Sequence, residues 1–233
     1  MSSTQIGILL GIQSWVTSIL DFPTGNISDL KGRKKTSLIG LLTFGIGLII
    51  YGSGQKFWHF ALALGMMGLG CAFISGAITA WYMSELELIN KKEESKKVFA
   101  LSNGFSYLLS AIAGIIATFL LIYSLRLPFW IAGTTACLVV IVCSLFMNEN
   151  YGEKDVRYIN FLNKTWNTFI KNKRIKLFTF IQIISDIGFI YFVLTWQPYL
   201  ISFGLKPNWL GIMFTIMMIS ISITSFVLSR FIN

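Results

Sequence analysis

The sequence predicts an all-α membrane protein, a polytopic transmembrane helix bundle of about seven spans. Three observations carry that prediction. Only 12% of the 233 residues are charged, whereas an ordinary soluble domain carries about 25%. The charges are segregated, because Thr36–Gln55, Val98–Leu125, Leu127–Asn148 and Pro207–Ser229 contain no Asp, Glu, Lys or Arg. Each stretch is near or above the ~20 residues that a helix needs to cross a hydrocarbon core. The basic residues, finally, crowd into alternate connections. Helices are the expected form because lipid offers backbone polar groups no partners.

The first span, Ile6–Thr24, carries Asp21 and Pro23 near its basic end, where Asp21 is expected to snorkel or to pair with the loop that follows. The second is Ser37–Gly54. The third, Phe57–Met83, contains Gly65, Gly68, Gly70, Ser75, Gly76 and Ala77, small residues that permit close helix approach in lipid. His59 falls at its outer end, in the interface. The fourth, Val98–Ser124, has one stripe of Asn103, Tyr107, Ser110, Gly114 and Thr118, which either lines a cavity or serves packing. The fifth is Phe129–Met147. The sixth, Leu177–Phe203, holds Asp186 near mid-membrane, with Gln182 one turn earlier and Ser185 adjoining. An intramembrane carboxyl costs on the order of 2.5–3.5 kcal/mol on insertion scales. Asp186 and Gln182 are therefore candidates for substrate binding or proton coupling, with Asn103 and Tyr107. The alternative is a protonated or hydrogen-bonded packing residue. The seventh span is Leu210–Phe231.

Orientation follows from charge. The connections Gly25–Thr36, Ser84–Lys97 and Asn148–Lys176, with Arg230, hold sixteen of the nineteen Lys and Arg. The opposite side has only Lys56, Arg126 and Lys206. By the positive-inside rule the basic side is cytoplasmic and Met1 starts outside. The net charge of +9 is thus a topology determinant and calls for no nucleic-acid partner. Met1–Gln5 has no basic region of the kind that opens a signal peptide. Trp81 and Tyr82 lie at the cytoplasmic boundary, Trp196 and Tyr199 towards the outer one, as an aromatic belt requires. Cys71, Cys137 and Cys143 sit in apolar stretches as buried small hydrophobes. No metal-ligand spacing occurs, and no metal or cofactor is expected.

The long connection divides the chain. Residues 1–147 form a first bundle of five spans, 148–176 a cytoplasmic linker, and 177–233 the start of a second bundle. Within the linker, Tyr158, Ile159, Leu162, Trp166, Phe169 and Ile170 share one helical face, as in a short amphipathic helix lying in the interface.

After the first span comes Gly25-Asn26-Ile27-Ser28-Asp29-Leu30-Lys31-Gly32-Arg33-Lys34-Lys35. It resembles the signature loop of the major facilitator superfamily, G-x-x-x-D-R-x-G-R-[RK]-[RK], with Leu30 departing from the usual Arg. In that family the loop joins the second and third helices on the cytoplasmic side. The resemblance implies that Gly25, Asp29, Gly32, Arg33 and Lys34 form a cytoplasmic latch between two bundles. The other reading is a basic loop that only anchors topology. A weak internal repeat agrees: Thr4–Leu10 resembles Asn208–Phe214, as the family's second helix pairs with its eighth. In that register the spans correspond to helices two to eight of twelve, so a second chain could supply the remainder. The 233 residues alone are then not expected to accumulate solute.

The resemblance implies secondary active transport of a small solute by alternating access, in a multi-pass protein of the plasma membrane whose partners are the lipid bilayer and that solute. The alternative is a non-transporting truncated remnant or accessory subunit of the same fold. An intramembrane enzyme finds no support, for H-E-x-x-H, G-x-S-x-G and paired intramembrane carboxylates are all missing. The fourth span lacks the proline, and the third the Arg, that drug–proton antiporters of this family carry, which weighs against drug export.

The orientation is directly testable. In a cysteine-free background, single cysteines in Gly25–Thr36 or Ser84–Lys97 should be shielded from an impermeant thiol reagent in intact cells. One in Leu125–Pro128 should react. The opposite labelling pattern would reverse the topology.

Overall fold

A computed structural model describes residues 1–152, 168–206 and 208–231, with the side chains of Ser3, Phe22, Asn26, Gln182, Asp186 and Asn208 outside the description. The long helices are α1 (Ser3–Lys31), α2 (Arg33–Ser53), α3 (Phe57–Leu88), α4 (Ser95–Tyr123), α5 (Leu127–Phe146), α6 (Lys173–Ser202) and α7 (Asn208–Phe231). Six are long and apolar enough to cross a membrane, and α1, bent by 49° between Asp21 and Pro23, makes a seventh span. Pro23 has no N–H to donate and its ring crowds the preceding turn, so the bend has a local cause.

The seven predicted spans are all helical, but the connections are shorter than the charge pattern suggests. The predicted loop Gly25–Thr36 is helical on both sides of a single break at Gly32. On the same side α3 runs on to Leu88 and α4 begins at Ser95. Charged residues end a membrane span without ending a helix, because water satisfies neither better nor worse a backbone already bonded to itself. The amphipathic helix expected at Tyr158–Ile170 falls almost wholly outside the described residues.

Close packing follows the glycines. Helix α2 carries them on two faces. Gly40 and Gly47 meet α3, and Gly45 and Gly52 meet α5. A Cβ at Gly40 would stand 2.7 Å from that of Phe73 and 2.9 Å from the Gly70 carbonyl oxygen. A Cβ at Gly133 of α5 would stand 2.7 Å from the Gly45 carbonyl oxygen. Helix α2 is thus wedged between α3 and α5, and α1 lies along α3. Of the small residues singled out in α3, Gly68 and Gly70 are at tight contacts, while Gly65 has only Ile12 within 4.0 Å.

Hydroxyls complete these contacts. Thr17 Oγ1 donates to the Gly68 carbonyl at 3.1 Å, and the buried Thr24 Oγ1 to that of Ala72 at 2.7 Å, joining α1 to α3. Helix α7 does the same to α4: Thr215 Oγ1 reaches the Ala111 carbonyl at 3.3 Å and Ser222 Oγ that of Gly104 at 2.8 Å. Each such bond contributes roughly 0.6 kcal/mol in a membrane protein. Their value is also in register, since a carbonyl accepts only at one helical height.

Gly40→Val should lower the stability of the purified protein by about 1–3 kcal/mol, the usual effect of overpacking. Gly65→Ala, in open space, should be neutral or stabilising through helix propensity. Thermal unfolding in detergent compares the two. Equal melting temperatures for the Val variant and the parent would show that α2 and α3 do not meet at Gly40.

Candidate functional site: the latch at the basic side

The latch begins with a reversal that only glycine performs readily. Gly32 closes α1 and opens α2 with φ of 108°, a region that L side chains rarely adopt. Its N–H donates to the Ser28 carbonyl at 3.0 Å, and its own carbonyl accepts the Thr36 N–H at 3.1 Å and Thr36 Oγ1 at 2.8 Å. A second reason is spatial. The Glu149 carboxylate occupies the place of a Cβ, its atoms lying 2.6–2.8 Å from that point.

That reversal brings Asp29 and Arg33 together. Arg33 Nε donates to Asp29 Oδ1 at 2.8 Å, and Nη2 lies 2.8 Å from the same oxygen. Arg33 is the better buried partner, its side chain 13% exposed against 39% for Asp29. Its Nη1 continues to α3, donating to the Ala80 carbonyl at 3.2 Å and to Ser84 Oγ. Arg33 therefore ties the end of α1 to the extension of α3.

Beyond α5 the chain returns across this surface. Glu149 accepts the Lys34 and Lys35 N–H groups at 2.8 and 3.1 Å, so a carboxylate closes the N-terminus of α2. Lys34 Nζ donates to the Ser144 and Met147 carbonyls at 2.7 and 2.6 Å, so an ammonium closes the C-terminus of α5. Both placements match the helix dipole, anion at the positive end and cation at the negative. Asn150 accepts the Arg33 N–H at 3.0 Å on its carbonyl, and the Gly152 N–H donates to the Asp29 carbonyl at 3.1 Å. Trp81 Nε1 donates to the Asn148 carbonyl at 2.8 Å, while Asn150 Nδ2 donates to the Trp81 carbonyl at 3.1 Å and to Glu85 Oε1 at 3.0 Å. Residues 148–152 thus form a strap joining the ends of α1, α2, α3 and α5.

The structure brings Asp29, Gly32, Arg33 and Lys34 into one network. Gly25 lies one step away, where α1 passes α3 so closely that a Cβ on Gly76 would be 3.6 Å from the Gly25 Cα. Sequence reasoning missed Glu149, Asn150, Ser84 and the bonding role of Trp81. One signal was available: Glu149 is the only acidic residue between Glu94 and Glu153, and it directly follows an uncharged span.

The intramembrane candidates are dispersed. Asn103 lines two cavities beside α4. Tyr107 is half-buried. Gly114 packs on Phe214 and Thr215, and a Cβ on Gly211 would run into Thr118, so that end of the stripe belongs to the α4–α7 contact. Ser110 bonds within its own helix, to the Ser106 carbonyl. Asp186 and Gln182 sit on α6, but their side chains lie outside the described residues. Asp21 is held by Ser75 Oγ of α3 and makes no ion pair with the basic loop among the described residues. No three His, Cys, Asp or Glu among the described residues converge on a metal-sized site.

Comparison with known proteins points one way. The family model described as Major Facilitator Superfamily matches residues 1–233. An uncharacterized transporter of Buchnera aphidicola is 28% identical over 206 residues, covering 87% of this chain and 48% of the relative. Multidrug resistance protein 2 of Bacillus subtilis is 28% identical over 213 residues, covering 88% of the chain and 48% of the relative. An inner membrane transport protein of Escherichia coli is 29% identical over 138 residues, covering 58% and 29%. The chain spans about half the length of the first two relatives. No solved structure matches the chain.

Glu149→Gln removes the charge at the α2 N-terminus and keeps the side chain's shape. The dipole interaction is worth about 0.3–1 kcal/mol at an exposed site, so global stability should fall only slightly. Local protection should fall more. Hydrogen exchange at the Lys34 and Lys35 amides is expected to quicken several-fold, while the mid-membrane amides of α2 keep the parent rate. Unchanged exchange at both amides would mean the carboxylate does not close this helix.

Proposed function

The chain belongs to the major facilitator superfamily, a family of transporters and not of enzymes, and from that premise we propose that it serves secondary active transport of a small solute by alternating access. The observation that carries this reading is the strap. Alternating access rocks one bundle against another about a central site, and a bundle can rock as a unit only if its helix ends are tied together. Asp29, Arg33, Lys34 and Glu149 tie the ends of α1, α2, α3 and α5 on the basic side.

The division at residues 148–176 suits the same mechanism. Helix α7 follows the linker yet packs on α4, which precedes it. That contact is close, made at Gly104, Gly114 and Gly211 with two hydroxyl–carbonyl bonds. The latch would then hold the cytoplasmic side in one access state, with Asp29 presented to the second bundle from its 39% exposed position. The rest of a complete transporter, which relatives about twice as long possess, would come from outside these 233 residues, in one chain or in a second. The bacterial relatives favour the plasma membrane. The name of the B. subtilis relative invites a drug substrate, but α4 has no proline and the antiporter pattern is not met.

Asp186 is the residue we assign to coupling, with Gln182 beside it, because an intramembrane carboxyl on a helix of the second bundle is the best available proton carrier. In whatever assembly is active, Asp186→Asn should abolish accumulation driven by an imposed proton gradient and leave substrate exchange intact. The amide keeps the shape and loses the titratable charge. Accumulation and exchange are measured side by side in proteoliposomes across a panel of small solutes. Accumulation at the parent level in the Asn variant would remove Asp186 from the mechanism.

A further inference from the structure

Two adjoining cavities lie where α3, α4 and α7 reach the basic side. One, of about 430 Å³, is lined by residues that include Met83, Lys96, Phe99, Ala100, Asn103 and Leu228. The other, of about 340 Å³, shares Phe99 and Asn103 and adds Thr79, Trp81 and Tyr82. Tyr82 meets Phe99 edge-on, with ring centroids 6.1 Å apart. Its hydroxyl is buried and has no hydrogen-bond partner among the described residues. An orphan hydroxyl away from water is costly, so it points to an oxygen supplied by something bound.

The lysines at the mouth are unequally committed. In the preceding turn Lys91 pairs with Glu94 at 3.3 Å and Lys92 with Glu87 at 2.8 Å. Lys96 and Lys97 make no ion pair among the described residues. Helix α4, which they open, follows directly on a 3-10 turn over Lys92–Glu94, so Glu93 and Glu94 already stand at its positive end, and Glu93 makes no ion pair among the described residues. Of the two lysines without an ion pair among the described residues, Lys96 lines the larger cavity, and Lys97 follows it where α4 begins.

We propose that these cavities form a binding site for one anionic phospholipid of the leaflet on the basic side, which the charge asymmetry makes the cytoplasmic one. Its phosphate sits against Lys96, with Lys97 adding charge nearby. Its glycerol esters accept from the Tyr82 hydroxyl and the Asn103 amide. Its first acyl carbons lie along Phe99, Met83 and Leu228. The depths agree, because Asn103 lies about 10 Å along the helix axis from Lys96, and a phospholipid presents phosphate, ester and chain in that order. Free phosphate would satisfy the lysines alone and leave the apolar wall and the orphan hydroxyl empty. Bound there, the lipid would also bridge α3 to α4, which meet at Tyr82 and Phe99.

Native mass spectrometry of the purified chain, titrated with phosphatidylglycerol and with phosphatidylcholine, tests the site. One phosphatidylglycerol should be retained preferentially. K96Q/K97Q should weaken its retention by about fivefold per lysine removed. K91Q/K92Q, which removes lysines already paired, should not. Ala100→Phe, which fills the larger cavity without altering charge, should weaken it too. Circular dichroism and monodispersity establish that each variant is folded. Equal retention of the two lipids would overturn the proposal, as would equal loss in both lysine pairs, which marks diffuse surface charge. Displacement of the lipid by millimolar inorganic phosphate would also overturn it, since the acyl wall would then contribute nothing.

Discussion

Hydrocarbon gives a backbone N–H or C=O no partner, and every level of this structure answers that constraint. Within the membrane the chain is helical throughout, and hydroxyls that approach a neighbouring helix end on its carbonyls, as Thr24 does at Ala72 and Ser222 at Gly104. The groups left over are those at helix ends. On the basic side they are closed by partners from elsewhere in the chain. Glu149 takes two N–H groups of α2, Lys34 takes two carbonyls of α5, and Asn150 takes the Arg33 N–H. The latch is therefore first a solution to helix termination.

The spans and their order were legible because they rest on local chemistry. An uncharged run of twenty residues has one fate in a membrane protein, and alternate basic connections fix its direction. The signature loop was legible because its spacing is short, and Gly32 shows why: the residue must take a positive φ and leave room for Glu149. The strap was not legible, because Glu149 and Lys34 are 115 positions apart and neither lies in a periodic pattern. Trp81 illustrates the same limit. As a boundary aromatic it satisfies the belt rule, yet its indole N–H is committed to the Asn148 carbonyl. The stripe on α4 was ambiguous for a physical reason. Gly114 and Thr118 serve packing and Asn103 faces a cavity, and one helical face can do both when its neighbour covers only part of its length.

Packing density divides the chain mechanically. Helix α2 is locked between α3 and α5 by glycines whose Cβ positions are already filled on both sides. Sliding it in either direction drives backbone into backbone. The α4–α7 contact is close too, with Phe226 and Phe214 against Gly104 and Gly114, but α7 packs chiefly on α4 and stands apart from that wedge. The unit most able to move as one piece is thus α1, α2, α3 and α5, closed by the strap.

Counting cations establishes orientation and then stops being informative, because the individual groups do different work. Arg33 is buried and spans α1 to α3. Lys34 is spent on the carbonyls of α5. Lys91 and Lys92 are neutralised by neighbouring glutamates. Lys96 and Lys97 make no ion pair among the described residues. The departure at Leu30 fits this division of labour. An Arg there would add a charge beside Asp29, whereas Leu30 is 47% exposed and, among the described residues, Asp29 pairs with Arg33. Arg33 bonds one oxygen of Asp29 and is also held by α3, so the second Asp29 oxygen is not part of the tie between α1 and α3. The latch we propose requires such an asymmetry, one half of the ion pair anchored and the other half free to be shared.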